Sequence, residues 1–346
     1  MATKRLSKVQ QRRVEEKHNK KLSELNDQHI HDEDFLPPQT GLVISRFGKV
    51  ADVESEQGEV FRCNIRRTLA SIVTGDKVLW RQNRNSQINS VIEAVQPRHS
   101  ELVRPDFYDG IKPVAANVDQ IMIISAVVPE LSLNIIDRYL VACEATKIKP
   151  VIVLNKIDLL NQTELDELSN TLQYYSNLGY EVLYLSCQNQ QGLSNLKAKL
   201  VDKTSILVGQ SGVGKSSIIN QLLPNLSTDA LVGDVSANSG LGQHTTTTTK
   251  LYHLPSGGNI IDSPGIREFG LWHLEPEQVF SGFKEFYQFI PDCRFRDCNH
   301  ATDPQCGLQN AVENKQIAPW RLDNYHKILQ TMREVKARTN KSFKNY

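Results

Sequence analysis

The sequence predicts a multi-domain chain: a small all-β barrel, then an α/β domain with a parallel sheet and a phosphate loop, then a mostly helical, zinc-binding end. Three observations predict this order. Short strand candidates punctuated by glycine run from Gly41 to Ile92. Buried-strand and amphipathic-helix patterns alternate from about residue 112. Cysteines and a histidine then crowd together between Cys293 and Cys306.

The 346 residues are enough for two or three domains, at about 100–200 residues each. A formal net charge of +1 hides an uneven distribution. Lys4, Arg5, Lys8, Arg12, Arg13, Lys17, Lys20 and Lys21 crowd the beginning; Arg333, Lys336, Arg338, Lys341 and Lys344 crowd the end. Charge placed this way suggests a polyanionic partner. No apolar run is long enough to span a bilayer and the N-terminus carries no apolar signal core, so no membrane contact and a cytoplasmic location are expected. The six cysteines are then not expected to form a disulfide framework.

Residues 1–34 are polar, and Leu6, Val9, Val14 and Leu22 are too few to pack a helix on a core. They read as a basic flexible tail or as an RNA-binding arm, and the two readings are compatible. Pro37-Pro38 marks a boundary. Residues 35–103 then offer strands at Gly41–Ser45, Lys49–Val53, Glu59–Cys63, Lys77–Trp80 and Gln87–Ile92. About five strands in so short a span suit a Greek-key barrel of the oligonucleotide-binding kind, an OB-fold. Arg62, Arg66, Arg67, Arg81 and Arg84 give it an expected basic surface. Such a module either binds RNA or simply docks on its neighbour.

Residues 104–272 form the expected α/β domain. Asp119–Val127, Pro150–Leu154, Val182–Leu185 and Ser205–Val208 read as buried strands; Leu133–Ala145, Thr163–Leu178 and Ser217–Leu223 read as helices. In a parallel sheet, ligand loops lie at the carboxyl ends of the strands. One such end carries Gly209, Gln210, Ser211, Gly212, Val213, Gly214, Lys215 and Ser216, which fits the phosphate-loop pattern in full. The glycines let backbone N–H groups and the following helix, starting at Ser217, face a polyphosphate. Lys215 reaches the β- and γ-phosphates, and Ser216 offers a hydroxyl to Mg²⁺.

Another strand end carries Asn155, Lys156 and Asp158. A carboxylate at Asp158 accepts from the ring N–H and the exocyclic amine of guanine; adenine lacks that donor pair, which argues against an ATP-dependent kinase. Ser186 and Cys187 sit where a base-contacting loop belongs, although Cys187 could equally be a small buried residue. Asp262 ends a further strand and is placed to hold Mg²⁺ through water, with the Gly265 N–H facing the γ-phosphate. Between these, Gly240–Thr249 reads as a mobile loop whose hydroxyls ligate Mg²⁺ in a closed state. Together these elements imply guanine-nucleotide binding.

The cluster Cys293-x4-Cys298-x-His300-x5-Cys306 suits one closed, structural, tetrahedral Zn²⁺ site. Its flanks look short and polar, so metal is expected to supply much of the fold of residues 273–346. A helix from about Pro319 to Arg338 follows.

The order of the motifs is unusual. Asn155–Asp158 comes first, then Gly209–Ser216, then Asp262–Gly265, whereas Ras-like GTPases begin with the phosphate loop. This permuted order, the barrel before it and the cysteine cluster after it resemble the ribosome small subunit-dependent GTPase A family, over nearly the whole chain. The resemblance implies a circularly permuted GTPase that binds the small ribosomal subunit and its rRNA late in assembly and hydrolyses GTP to GDP with stimulation by the subunit. It also implies that His244 is the catalytic residue beside Lys215, since the position after the Asp262–Gly265 motif is Ile266, which cannot orient water. Thr247, within the run Thr245–Thr249, is the favoured Mg²⁺ ligand beside Ser216 and Asp262. A monomer is expected. The competing reading is a nucleotide-gated RNA-binding scaffold with incidental hydrolysis. Because the second switch, starting near Pro264, runs directly into the zinc segment, GTP is expected to fix that segment relative to the barrel.

Overall fold

A computed structural model describes residues 35–66, 69, 71–84, 88–106, 110–224, 249–262, 271 and 273–343. The tail 1–34, Arg67, His244, Thr247, Gly265 and Ile266 lie outside the described residues. In chain order the elements are β1 (Gln39–Phe47), β2 (Val50–Ser55), β3 (Val60–Ile65), β4 (Lys77–Arg81), β5 (Ile88–Val95), β6 (Glu101–Asp106), β7 (Gly110–Ala116) and β8 (Gln120–Ala126). There follow α1 (Leu133–Thr146), β9 (Lys149–Asn155), α2 (Gln162–Asn177), β10 (Glu181–Leu185), α3 (Leu193–Leu200), β11 (Thr204–Val208) and α4 (Lys215–Leu222). The last are β12 (Lys250–His253), β13 (Asn259–Asp262), α5 (Pro276–Ser281), α6 (Gly307–Glu313) and α7 (Pro319–Phe343). They divide into two compact units.

The first unit runs to Glu101 and adds Pro113–Asn117 and Thr248–Tyr252. Alternation of apolar and polar residues along β2 and β3 buries Ala51, Val53, Phe61 and Cys63 and leaves Arg62 outside. β1 pairs with β2 and β4, β2 with β3, β3 with β5, and β5 with β4, so the sheet closes on itself. Closure removes the exposed edges that would invite aggregation and gives the barrel expected from the sequence. Trp80 fills its centre, 4.7 Å from the Phe61 ring, and donates its indole N–H to the Thr40 carbonyl at 3.2 Å. Thr249 is fastened here as well, its carbonyl accepting from the Thr74 hydroxyl at 3.1 Å, and Lys250 pairs with Ser45 of β1.

The expected basic face of the barrel is largely spent within it. Arg62 holds Asp52 with two bonds, 2.7 and 3.1 Å, and Arg66 holds Glu93. Arg81 is buried and donates to the Leu36 carbonyl at 3.0 Å, and Arg84 donates to the Phe35 carbonyl at 3.3 Å. Sequence counts positive charges; it does not say which already have partners.

In the second unit the strands run in the order β10-β9-β8-β11-β13, all parallel. β8 is buried along its whole length, as its continuous apolar run requires of a central strand. Succession moves outward from β8 to β9 to β10, then returns to place β11 on the other side of β8. That reversal opens a crevice between the carboxyl ends of β8 and β11. α2 starts with a reciprocal capping pair, Asn161 and Glu164.

The end of the chain departs from expectation. Its flanks are not merely polar: Phe280, Phe283, Phe286, Phe289, Tyr325 and Ile328 form an apolar core with Val141 of α1. Gly282 lies so close to α1 that an added Cβ would come within 2.6 Å of a Val141 methyl. Apolar burial, and not metal alone, therefore holds this segment together. Beneath it sits a buried ionic node. Arg321 of α7 donates to Asp137 of α1 at 2.5 Å and to Glu285 at 2.6 and 3.1 Å, and Asp137 also accepts from Tyr175 at 2.6 Å and Asn324 at 2.7 Å. Burial pushes the Asp137 carboxyl up from its ordinary range against the pull of Arg321, while Asp137 and Glu285 hold Arg321 above its ordinary value despite burial. Three donors on its two oxygens mean that Asp137 is satisfied as a carboxylate. Arg321→Met would strand two buried carboxylates, and urea unfolding should show a loss of about 3–5 kcal/mol.

Candidate nucleotide-binding site and metal centre

The phosphate loop follows β11, and its glycines answer specific steric demands. Gly209 has φ +145°, and a Cβ there would lie 2.1 Å from the Ile124 carbonyl of β8. Gly214 has φ +95°, and a Cβ there would lie 2.3 Å from the Asn155 amide nitrogen. Only glycine fits either place. Gln210, Ser211, Ser216 and Ser217 are exposed along the loop and the first turn of α4, while Val213 is buried. The Lys215 ammonium donates to the Gly209 and Gln210 carbonyls at 2.6 and 2.5 Å, so its charge lies over the loop.

Asn155, the last residue of β9, is 1% exposed. Its amide donates to the Val213 carbonyl at 2.9 Å, and its side-chain oxygen has no partner among the described residues. Lys156 adopts a left-handed conformation (φ +64°) and stretches across the loop to donate to the Gly212 carbonyl at 2.6 Å and to Val128 at 2.7 Å. Asp158 is exposed and accepts from the buried Ser186 hydroxyl. That hydroxyl also accepts from the Gln188 and Asn189 N–H groups at 3.2 and 3.3 Å, so its own proton goes to Asp158. The half-buried Cys187 follows, its carbonyl accepting from Gln221 of α4 at 3.4 Å, and burial pushes its thiol up. Asp262 ends β13, the parallel neighbour of β11.

The structure thus brings Asn155, Lys156, Asp158, Ser186 and Cys187 together with the loop from Gly209 to Lys215. It sets Asp262 at the same edge of the sheet. Two contributors escaped sequence reasoning. Val128 carries no motif, and only the proline after it hinted at a loop turned toward the crevice. Gln221 is one polar residue on an amphipathic helix and gave no signal. The site fits a guanine nucleotide with Mg²⁺: a loop whose Gly209 and Gly214 leave no room for a Cβ, a lysine over it, a carboxylate oriented by Ser186 and a buried amide oxygen still open to a donor.

In the second unit, the ligand atoms of Cys293, Cys298, His300 and Cys306 all lie within 4.8 Å of one another. His300 Nδ1 stands 3.5 Å from the Cys306 sulfur and 3.7 Å from that of Cys293. A tetrahedral Zn²⁺ with bonds of about 2.3 Å to sulfur and 2.0 Å to nitrogen has an N···S edge of about 3.5 Å. Burial, with the neighbouring Cys306 and Cys293, pushes the Cys298 thiol up to about 12. The Gly307 N–H points at the Cys293 sulfur at 3.3 Å, where a side chain at Gly307 would strike the Phe289 carbonyl. The donor set fits zinc.

The family described as RsgA GTPase matches residues 95–272. The chain is 54% identical over 348 residues to the small ribosomal subunit biogenesis GTPase RsgA of Klebsiella pneumoniae subsp. pneumoniae, spanning 99% of each. The chain belongs to the RsgA GTPase family. With the family comes the enzyme class, GTP hydrolysis. Among solved structures, YjeQ from Thermotoga maritima is similar with a TM-score of 0.68 at 34% identity, over 85% of this chain and 98% of that one. YloQ, titled a circularly permuted GTPase, is similar with a TM-score of 0.66 at 28% identity, over 90% of this chain and 98% of that one. The RsgA GTPase fold therefore carries the permuted motif order read from the sequence.

Asp158→Asn would replace an acceptor of two N–H bonds with a mixed donor and acceptor. Titration with a fluorescent GTP analogue should show an affinity loss of at least about 100-fold. The xanthosine nucleotide, with a carbonyl in place of the amine, should gain relative to it. Gly214→Ala should abolish tight nucleotide binding in the same assay, because Asn155 must move.

Proposed function

We propose that this GTPase acts on the small ribosomal subunit during late assembly, and that the subunit and its rRNA stimulate hydrolysis of GTP to GDP. What supports the reading is full-length likeness to a relative named for small-subunit biogenesis, joined to a strand end whose Asn155 is bonded to the phosphate loop and a following Asp158 that Ser186 orients. In this reading residues 1–34 are a basic tail, 35–103 the RNA-facing barrel, 104–272 the nucleotide machine and 273–346 a module carrying one structural zinc. The protein works as a cytoplasmic monomer.

Each residue has a chemical task. Asp158, held by Ser186, reads guanine; Asn155 and Lys156 fix the base end against the loop. Backbone N–H groups of Gly209–Ser217 surround the phosphates, and Lys215 leaves its carbonyl partners to neutralise charge on the β- and γ-oxygens. Ser216, Thr247 and, through water, Asp262 would hold a Mg²⁺, which when bound would lower the charge opposing attack. Gly265 meets the γ-phosphate, and His244 orients the attacking water.

Phosphate release from purified native chain should rise many-fold when small subunits are added, on the order of 10². His244→Ala should lose most of that stimulated rate while binding GDP normally. A flat response to subunits would favour a nucleotide-gated scaffold instead.

A further inference from the structure

The second unit contains a contact that no nucleotide role absorbs. His300, the one imidazole of the metal cluster, sits at φ +61°, in the left-handed region that non-glycine residues seldom enter. Its carbonyl lies 3.0 Å from Nε2 of His326, on α7. A backbone carbonyl only accepts, so Nε2 of His326 carries the proton there. On its other side the His300 ring packs against Phe280, with centroids 5.6 Å apart.

We propose that His326 is a positioning residue for the metal centre: by holding the His300 carbonyl it fixes the left-handed backbone that turns Nδ1 onto the sulfurs of Cys293 and Cys306. The inference rests on the zinc reading above. A metal-ligating histidine is usually oriented through its free ring nitrogen. Here the hold is on the backbone, and it comes from a different element. The consequence reaches beyond the cluster. His326 lies on the same helix as Arg321, which is bonded to Asp137 of α1. His326 thereby ties the cluster to the helix that Arg321 anchors on α1.

The test is zinc affinity of the full-length chain, measured by competition with a chromophoric chelator. His326→Phe keeps the ring and loses the donor; His326→Gln keeps an N–H donor at nearly the same reach. Leu329→Ala loosens the packing of buried Leu329 on α7 without touching His300. His326→Phe should weaken zinc binding about 10–100-fold, and His326→Gln should stay within about threefold of the native chain. Leu329→Ala should lower the unfolding midpoint and leave zinc affinity unchanged. Native-like affinity in His326→Phe, failure of His326→Gln to rescue, or equal weakening by Leu329→Ala would overturn the proposal. Cobalt substitution gives a readout that does not need a stable His326→Phe: with His326→Ala the visible ligand-field bands should shift, and unchanged bands would also overturn it. If the native chain itself shows no tetrahedral cobalt spectrum, the zinc reading fails first, which is a separate result.

Discussion

One buried hydrogen bond joins the two halves of the nucleotide site. The Asn155 amide meets the Val213 carbonyl across 58 residues of chain, out of reach of water. Leaving that carbonyl unpaired would cost about 1–3 kcal/mol, so the strand end that reads the base and the loop that holds phosphate are not free to separate. Glycine at 214 permits the approach, and Lys156 repeats the join one residue on. The contact is lateral. It depends on β9, β8 and β11 lying side by side, with Met122 opposite both Val151 and Leu207. Nothing in it depends on which strand is made first, which is the physical reason a permuted chain can build the same site.

The Asp137–Arg321–Glu285 node sets a second constraint. The permuted order suggests that closure of the second switch fixes the zinc segment. Among the described residues, that segment is seated on α1 by ion pairs and an aromatic core. The buried ion pair of Arg321 and Asp137 resists separation of α7 from α1, since parting it would leave charges unpaired.

How much of this was legible follows from how local each signal is. The apolar runs of β8 and β9, the glycine-lysine loop and the cysteine spacing lie in short windows, and each could be read directly. The barrel strands were legible to within a few residues because glycines punctuate them and β2 and β3 alternate cleanly. β6 and β7 were not, because Pro105 and Pro113 sit inside them and proline argues against a strand interior. The turn of helix at Lys284–Asp292 also went unread, although Phe280, Phe283, Phe286 and Phe289 recur at the three-residue spacing of such a helix. The ionic node could not be read at all, since Arg321 and Asp137 are 184 residues apart. His244, Thr247 and Gly265 rest on motif position, while Asn155, Lys156 and Ser186 have contacts to argue from.

The arginines of the barrel sharpen the question of how a polyanion would be held. A guanidinium already paired with Asp52 or Glu93 must give up that partner before it meets a phosphate, and the exchange gains little. The salt-dependent part of any RNA affinity scales with the number of phosphates neutralised. Among the described arginines of the barrel, Arg62, Arg66 and Arg98 are already paired with carboxylates. The unbalanced positive charge of the sequence lies instead between Lys4 and Lys21 and from Arg333 onward, and even there Lys336 is partly engaged by Glu275. Under the proposed RNA-binding role, those ends would supply most of the attraction, so affinity should fall steeply with salt.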